Sequence, residues 1–534
     1  MNSNIFLFLG FLFFCCPYSW AQSEQESTSQ QTRPNVVFVL IDDIGSGWLP
    51  PYAKELEPED IEQEIMVAYN KAQGRGTADA QKHIDAAKNS MPYLSTLAEE
   101  GAVFNRCFTT SALCSPSRAG IITGKYQNRW GSYFLRDVIE GGIPSNEISL
   151  PSVFQENGYA TGLIGKWHVS KNDPSLKGKV DLEHLRSSSM PGKGPLDMGF
   201  DYYYGYNFSH STYYNSKNLW EGNEMVPILP EGKFLTEVFN NKAVEFVESS
   251  LKKEKSFFLF YAPMTLHGAF DDSPEKYSSQ FDTGVEFSNS YAGHLLALDE
   301  GIKDIYATLE KYDAAKETIF ILCSDNGSPI PVPPYNAPFK GGKGTGWLGG
   351  SYVPLIIYMP GKILPQRNGS LVSAMDILPT AMDFAGIPIP QDIDGVSLKP
   401  ILTGKDQTEP HPLLFSSGGH SSRFSYSYYL GESKKTMDSK ESPMYVWGIN
   451  NEYFSLFLTE VKPDLYATLP QGKPAEHLFY NIQKDPLTKK QDLSKPAEME
   501  SITEGIKQWM KNNSPPSSHS KEQYQDLLKQ LEEE

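Results

Sequence analysis

Four apolar runs in this chain end in the same way. "VVFVLI" (36–41) stops at Asp42-Asp43, and "TIFILCS" (318–324) stops at Asp325-Asn326. "YATGLIG" (159–165) stops at Lys166-Trp167-His168, and "SFFLFYAPMTL" (256–266) stops at His267. Short runs that are apolar throughout, without polar alternation, read as strands buried on both faces, and such strands need helices above and below. Helical patterns do intervene, in "TEVFNNKAVEFVESSLKK", "YAGHLLALDEGIKDIYATLEKY" and "SAMDILPTAMDFAG". The alternation predicts an α/β fold: a large mixed, mostly parallel sheet sandwiched by helices. In an open sheet of that kind ligands bind beyond the carboxyl ends of the strands, which is where the charged residues fall.

Length and charge bound the rest. The chain has 534 residues and a net charge of −18, enough for a large core and strongly acidic. The charge disfavours nucleic acid as a partner, and an anionic substrate would need a local basic pocket. Residues 1–21 read as a secretory signal peptide with Ser19 and Ala21 before the cleavage point, so the protein is expected to be exported, to a periplasm or beyond the cell if bacterial. Lipidation at Cys15 or Cys16 is the competing reading of that segment, and no other apolar run is long enough to span a membrane. A flexible leader (22–33) would precede a catalytic α/β domain (34–404) with a polar, helical insertion at 48–90. Short aromatic runs beyond residue 404 suggest a smaller α+β C-terminal domain (405–511), with a polar tail helix in 512–534 expected to be solvated. Outside the signal, Cys107, Cys114 and Cys323 do not form a disulfide framework; Cys107 and Cys323 read as buried core residues, a bridge between them being the alternative.

The strand ends carry chemistry. Alone, "DD" or "DNG" reads as a turn or a cap. Placed after two strands of one sheet, Asp42, Asp43, Asp325 and Asn326 form an all-oxygen set suited to a hard divalent ion, with Ca²⁺ a better match than Zn²⁺. Lys166 and His168, two apart, would face one side of an extended segment and offer an anion contact and a proton carrier. The Gly-rich loop 336–354 brings Lys340 and Lys343 but lacks the Walker pattern. In "SALCSPSRAGIITGKY", Ser115 resembles a helix N-cap and Pro116 a first helical residue, which would set Cys114 at the positive end of a helix, where an oxyanion is stabilised and a thiol becomes acidic. The residues alone thus describe an anion-binding, metal-assisted hydrolytic site with a nucleophile at a helix N-terminus.

"CSPSRAGIITG" resembles the sulfatase signature, C-x-P-S-R with a later T-G pair, and the resemblance runs from about Pro34 to Leu493 through "PNVVFVLIDDIG", "GLIGKWH", "SDNG", "GGKGT" and "DGVSLKPILTG". It implies an arylsulfatase-like sulfuric ester hydrolase of the alkaline phosphatase superfamily. In that family Cys114 becomes Cα-formylglycine (3-oxoalanine), made by a formylglycine-generating or anaerobic sulfatase-maturating enzyme. Its hydrate attacks sulfur, displaces the alcohol and then expels sulfate. By the same resemblance Asp42, Asp43, Asp325 and Asn326 bind Ca²⁺ together with residue 114. Arg118 supports the cluster, Lys166 and Lys343 hold sulfate oxygens, His168 is the base for sulfate release, and His267 protonates the leaving alcohol. The substrate class implied is a sulfated sugar or polysaccharide, with His210 and Tyr214 in "GYNFSHSTYYNSKNLW" as candidate sugar contacts and the 48–90 insertion bordering the cleft. Two departures stand out: Leu348 and Tyr352 occupy places where the family often carries charge, and the His267 segment lacks the usual proline flanks. A phosphomonoester or phosphodiester hydrolase of the same superfamily is one alternative, and a non-catalytic binder of anionic glycans another.

Overall fold

A computed structural model describes residues 33–533 apart from 62–65, 68–69, 72–73, 76–77, 269–271, 330–331, 420–443, 460–475 and 518–520. The signal peptide, the alternative lipidation site and residues 22–32 of the leader lie outside the described residues.

Eleven strands form the large sheet: β1 Asn35–Ile41, β2 Ala102–Phe108, β3 Ala160–Lys166, β4 Tyr202–Tyr206, β5 Trp220–Glu221, β6 Glu224–Met225, β7 Phe257–Ala262, β8 Thr318–Ser324, β9 Tyr352–Tyr358, β10 Gln366–Asn368 and β11 Val372–Ser373. Their order is β10-β2-β9-β8-β1-β7-β3-β4-β5-β6, with β11 beside β2. The central five, β8-β1-β7-β3-β4, are all parallel, while β9, β5 and β6 add antiparallel pairings. The expected mixed, mostly parallel sheet is therefore present. Alternate residues of β1 enter opposite cores: Val37, Val39 and Ile41 one, Val36, Phe38 and Leu40 the other. Helices Leu235–Lys252 and Glu286–Lys311 close the first, and Cys114–Thr123 and Ile377–Phe384 close the second. Burial on both faces is why these strands carry no polar alternation.

Cys107 on β2 and Cys323 on β8 are both buried and free. Strand β9 lies between them, with Val353 beside Cys107 and Leu355 beside Cys323. The two thiols stand as buried neighbours and are unbridged in this structure.

A second, antiparallel sheet is built in chain order from β12 Leu414–Gly419, β13 Met444–Ile449, β14 Tyr453–Leu458 and β15 Glu476–Asn481. Helices Pro496–Lys511 and Lys521–Glu533 share its core. The latter corrects the expectation of a solvated tail: Leu527 and Leu531 are 0% exposed, because Tyr524, Leu527 and Leu531 repeat at helical spacing and form one apolar stripe. Residues of the large sheet, including Phe108 and Tyr352, enter the same core as Trp447 of β13. Tyr352 packs on Phe108 and Phe339 and Leu348 joins the same cluster, which explains why these two positions carry apolar side chains instead of charge. The described part of the 48–90 insertion packs against the helix Glu286–Lys311 and the loop ahead of Lys343, through His83 Nε2 with Ser288 Oγ at 2.9 Å and Trp48 Nε1 donating to Val332 O at 2.8 Å.

Candidate active site

The four strands with charged ends prove to be sheet neighbours, in the order β8, β1, β7, β3. Parallel pairing points all four carboxyl ends the same way, so Asp325-Asn326, Asp42-Asp43, His267 and Lys166-His168 converge although up to 284 positions separate them. At the end of β3, Gly165 has φ +111°, and a Cβ there would lie 1.9 Å from Ala262 O of β7. Only glycine permits that approach, and it turns the chain so that Lys166 and His168 can follow.

The helix Cys114–Thr123 supplies the fifth element. Cys114 is its first residue and Leu113 its N-cap, so the N-cap role expected of Ser115 is corrected, and Pro116 sits in the first turn but not at its first position. Ser115 instead donates its hydroxyl to His168 O at 2.6 Å. That bond holds a residue in an uncommon conformation, for His168 has φ +62°, and Asp43 has φ +58°. Strand alternation therefore does not explain the pairing of Lys166 with His168; β3 stops at Lys166 and the chain turns.

Three buried carboxylates face three buried cations. Lys166 Nζ donates to both Asp42 oxygens (2.9 and 2.8 Å), and Lys343 Nζ to both Asp43 oxygens (2.6 and 2.8 Å). Arg118 Nε donates to Asp325 Oδ2 at 2.8 Å and Nη1 to Lys166 O at 2.8 Å, while Nη2 lies 3.6 Å from Asp42 Oδ1. Asn326 Nδ2 donates to Asp43 Oδ1 at 2.8 Å, and His267 Nε2 is 3.6 Å from Asp43 Oδ2. Asp43 and Asp325 are held below the usual carboxylate range: burial alone would raise both, but Lys343 and His267 outweigh it at Asp43, and Arg118 with Lys166 at Asp325. Burial dominates at Asp42 and pushes it up against the pull of Lys166. The Cys114 thiol is lowered, because Lys166 and Lys343 together overcome its burial. Burial, reinforced by Lys166 and Arg118, keeps His168 well below its ordinary value.

The donor set fits a metal ion. Ligand atoms of Asp42, Cys114 and Asp325 lie within 4.8 Å of one another, as do those of Asp43, Cys114 and His267. Among the described residues, Asn326 Oδ1, Arg118 Nη2 and both ring nitrogens of His168 are buried without a hydrogen-bond partner. An amide oxygen buried beside three carboxylates is a ligand for a hard cation. All ten residues expected at the centre, namely Asp42, Asp43, Cys114, Arg118, Lys166, His168, His267, Asp325, Asn326 and Lys343, are thus brought to one place. His210 stands at its edge, its ring parallel to His267 with centroids 5.6 Å apart. His210 and Tyr214 both line an adjoining cavity of about 360 Å³. Sequence reasoning missed Tyr445 of β13, whose hydroxyl accepts from Ala112 N at 3.0 Å and props the turn before Cys114. Across 333 positions no local signal could have marked it.

The sulfatase family model matches residues 34–387. The chain belongs to the sulfatase family. This sulfatase is 31% identical over 527 residues to the uncharacterized sulfatase YdeN of Escherichia coli K12, a match covering 95% of this chain and 90% of that one. It is 28% identical over 420 residues to the N-acetylgalactosamine-6-sulfatase of Mus musculus, covering 72% and 69% of the two chains. Among solved structures, Ps i-CgsB in complex with k-i-k-neocarrahexaose superimposes with a TM-score of 0.68 at 21% identity, covering 94% of this chain and 98% of that one. The sulfatase is accordingly a sulfuric ester hydrolase, of a family that generally uses formylglycine and a divalent metal. No helix among its described residues is long and apolar enough to cross a membrane.

Proposed function

We propose that this sulfatase hydrolyses sulfate esters of a sulfated sugar or polysaccharide, with formylglycine at position 114 and one Ca²⁺ ion held by Asp42, Asp43, Asp325, Asn326 and an oxygen of residue 114. The observation that carries the reading is the meeting of Cys114 with the three carboxylates of the donor set inside a ring of three buried cations. When bound, the ion supplies positive charge to the sulfate oxygens, and the aldehyde hydrate supplies the nucleophile. The protein's own side chains do the rest. Three carboxylates and three cations balance, so a divalent ion leaves the site at +2, a match for a departing sulfate dianion. Lys166 and Lys343 turn from Asp42 and Asp43 to sulfate oxygens, while Arg118, pinned by Asp325 and Lys166 O, stays in place. His168, neutral in its buried setting, takes the proton released on sulfate expulsion. His267, held below its ordinary value by burial and by Lys343, is 16% exposed and stacks on His210; it hands a proton to the leaving alcohol once the sulfate charge beside it raises its basicity.

The sugar substrate is supported by relatives whose names specify one, including the N-acetylgalactosamine-6-sulfatases. The wider reading assigns catalysis to residues 34–404 with the smaller unit 405–511 beside it, export to a cleaved signal at 1–21, and conversion of Cys114 to a maturation enzyme of either class. The test is mass spectrometry of the peptide bearing residue 114, from a host with such an enzyme, combined with turnover on a panel of sulfated saccharides. Loss of the thiol mass in step with activity is expected, and Cys114→Ala should lower kcat by at least about 10³-fold. Full turnover with the thiol intact, or by Cys114→Ala, would overturn the proposal.

A further inference from the structure

The cavity beside His267 has features the reaction itself does not require. Its far wall is the helix Leu182–Ser187, which brings Glu183 and Arg186, and its near wall is the 207–219 segment, which brings Phe208, His210, Tyr214 and Lys217. The volume, about 360 Å³, lies in the range of small-ligand pockets. His210 joins it to the catalytic centre: one side of the ring stacks on His267, and Phe208 lies 5.4 Å from it centroid to centroid. A group leaving toward His267 therefore leaves toward this cavity.

Its charge runs against that of the molecule. The chain carries 65 acidic and 47 basic residues, yet this lining has two cations, Arg186 and Lys217, against one carboxylate, Glu183. Among the described residues neither Arg186 nor Lys217 enters an ion pair, whereas Arg118, Lys125, Arg129, Lys166 and Lys343 all do. Both are exposed, so their charge is available to a ligand, and the fold presents them at fixed places: Asn172 Nδ2 donates to Arg186 O at 2.6 Å, and Asn218, next to Lys217, donates to His210 O at 3.1 Å. Aromatic side chains and two cations lining one cavity suit a sugar ring that carries negative charge of its own.

Resting on the sulfated-sugar reading above, we infer that this cavity is the leaving-group subsite, and that Arg186 and Lys217 select substrates bearing a second anionic group, a sulfate ester or a carboxylate, besides the sulfate that is cleaved. The experiment compares kcat/KM on matched disaccharides with one cleavable sulfate and, beside it, a hydroxyl, a second sulfate ester or a carboxylate. 4-Nitrophenyl sulfate serves as a substrate whose leaving group carries no second anionic group for Arg186 and Lys217 to read. The wild type should favour a doubly anionic substrate over its neutral counterpart by at least tenfold, and the two charged arms show whether sulfate or carboxylate is read. R186A/K217A should reduce that preference at least fivefold, mainly through KM, and R186E/K217E should reverse it; matching melting temperatures verify the fold. An unaltered preference in both double variants, or a wild-type preference for the neutral disaccharide, overturns the inference while the sulfatase reading stands. Failure to hydrolyse 4-nitrophenyl sulfate and every saccharide, with residue 114 shown to be converted, overturns both.

Discussion

Asp325 accepts hydrogen bonds from Arg118 Nε and from Asp43 N, and belongs to the set that would hold the ion. Asp325→Ala removes a proposed ligand and leaves a fully buried guanidinium with Asp42, 3.6 Å away, as its remaining carboxylate. Breaking a buried pair from one side costs about 3–5 kcal/mol. The variant should melt lower, lose its bound metal by elemental analysis and lose at least about 10³-fold in kcat; a variant that keeps its metal would refute the ligand assignment. Ser115 makes a subtler contribution. Without its hydroxyl the His168 carbonyl loses the bond that steadies φ +62°, so Ser115→Ala should cut kcat about tenfold with little change in KM, provided mass spectrometry shows residue 114 still converted. The four residues proposed to hold the ion were legible as adjacent pairs at strand ends. Their partners were not, since Lys343 meets Asp43 across 300 positions and Arg118 meets Asp325 across 207. Only the resemblance singled out those cations; bare residue types do not.

At the scale of elements, the strands buried on both faces were readable as apolar runs, but β2 and β4 were not. β2 reads "AVFNRCF", with half-buried Asn105 and Arg106 in its middle, because Arg106 reaches out to Asn450 O and Asn451 in the turn between β13 and β14. β4 reads "YYYGY", whose glycine lets it approach Gly165. Strand order was also hidden, and with it the fact that the four charged ends are neighbours. A different joint is the start of the helix Ile377–Phe384, where Asp376 accepts from Ser373 N, Val396 N and His411 Nε2. Burial alone would lower His411, but Asp376 outweighs it and raises its pKa above the usual 6.5. A histidine raised in the fold contributes stability that is fully present below pH 6.5 and is lost as pH climbs through the higher folded value. Melting curves should show the wild type losing stability over that window. His411→Asn should be nearly flat across it, and lower by about 1.5–3 kcal/mol on the acid side. Equal pH profiles for the two proteins would contradict this.

At the scale of the molecule, the second sheet is a buttress for the site. Tyr445 reaches Ala112 N, Ser416 Oγ donates to Thr110 O at 3.0 Å, and Trp447 shares a core with Phe108. The tail helix Lys521–Glu533 completes that core through Leu527 and Leu531. Either leucine replaced by alanine should cost about 2–5 kcal/mol in chemical denaturation, far more than a solvated helix would show. A change below about 0.5 kcal/mol would mean that the helix does not dock. Burial has a last consequence, one of timing. Every residue from 111 to 128 is buried, and Cys114 is 1% exposed. The conversion proposed for Cys114 would therefore need this stretch before the sheets close around it. Under that proposal maturation and folding would compete, and a chain that folded first would keep its thiol out of an enzyme's reach.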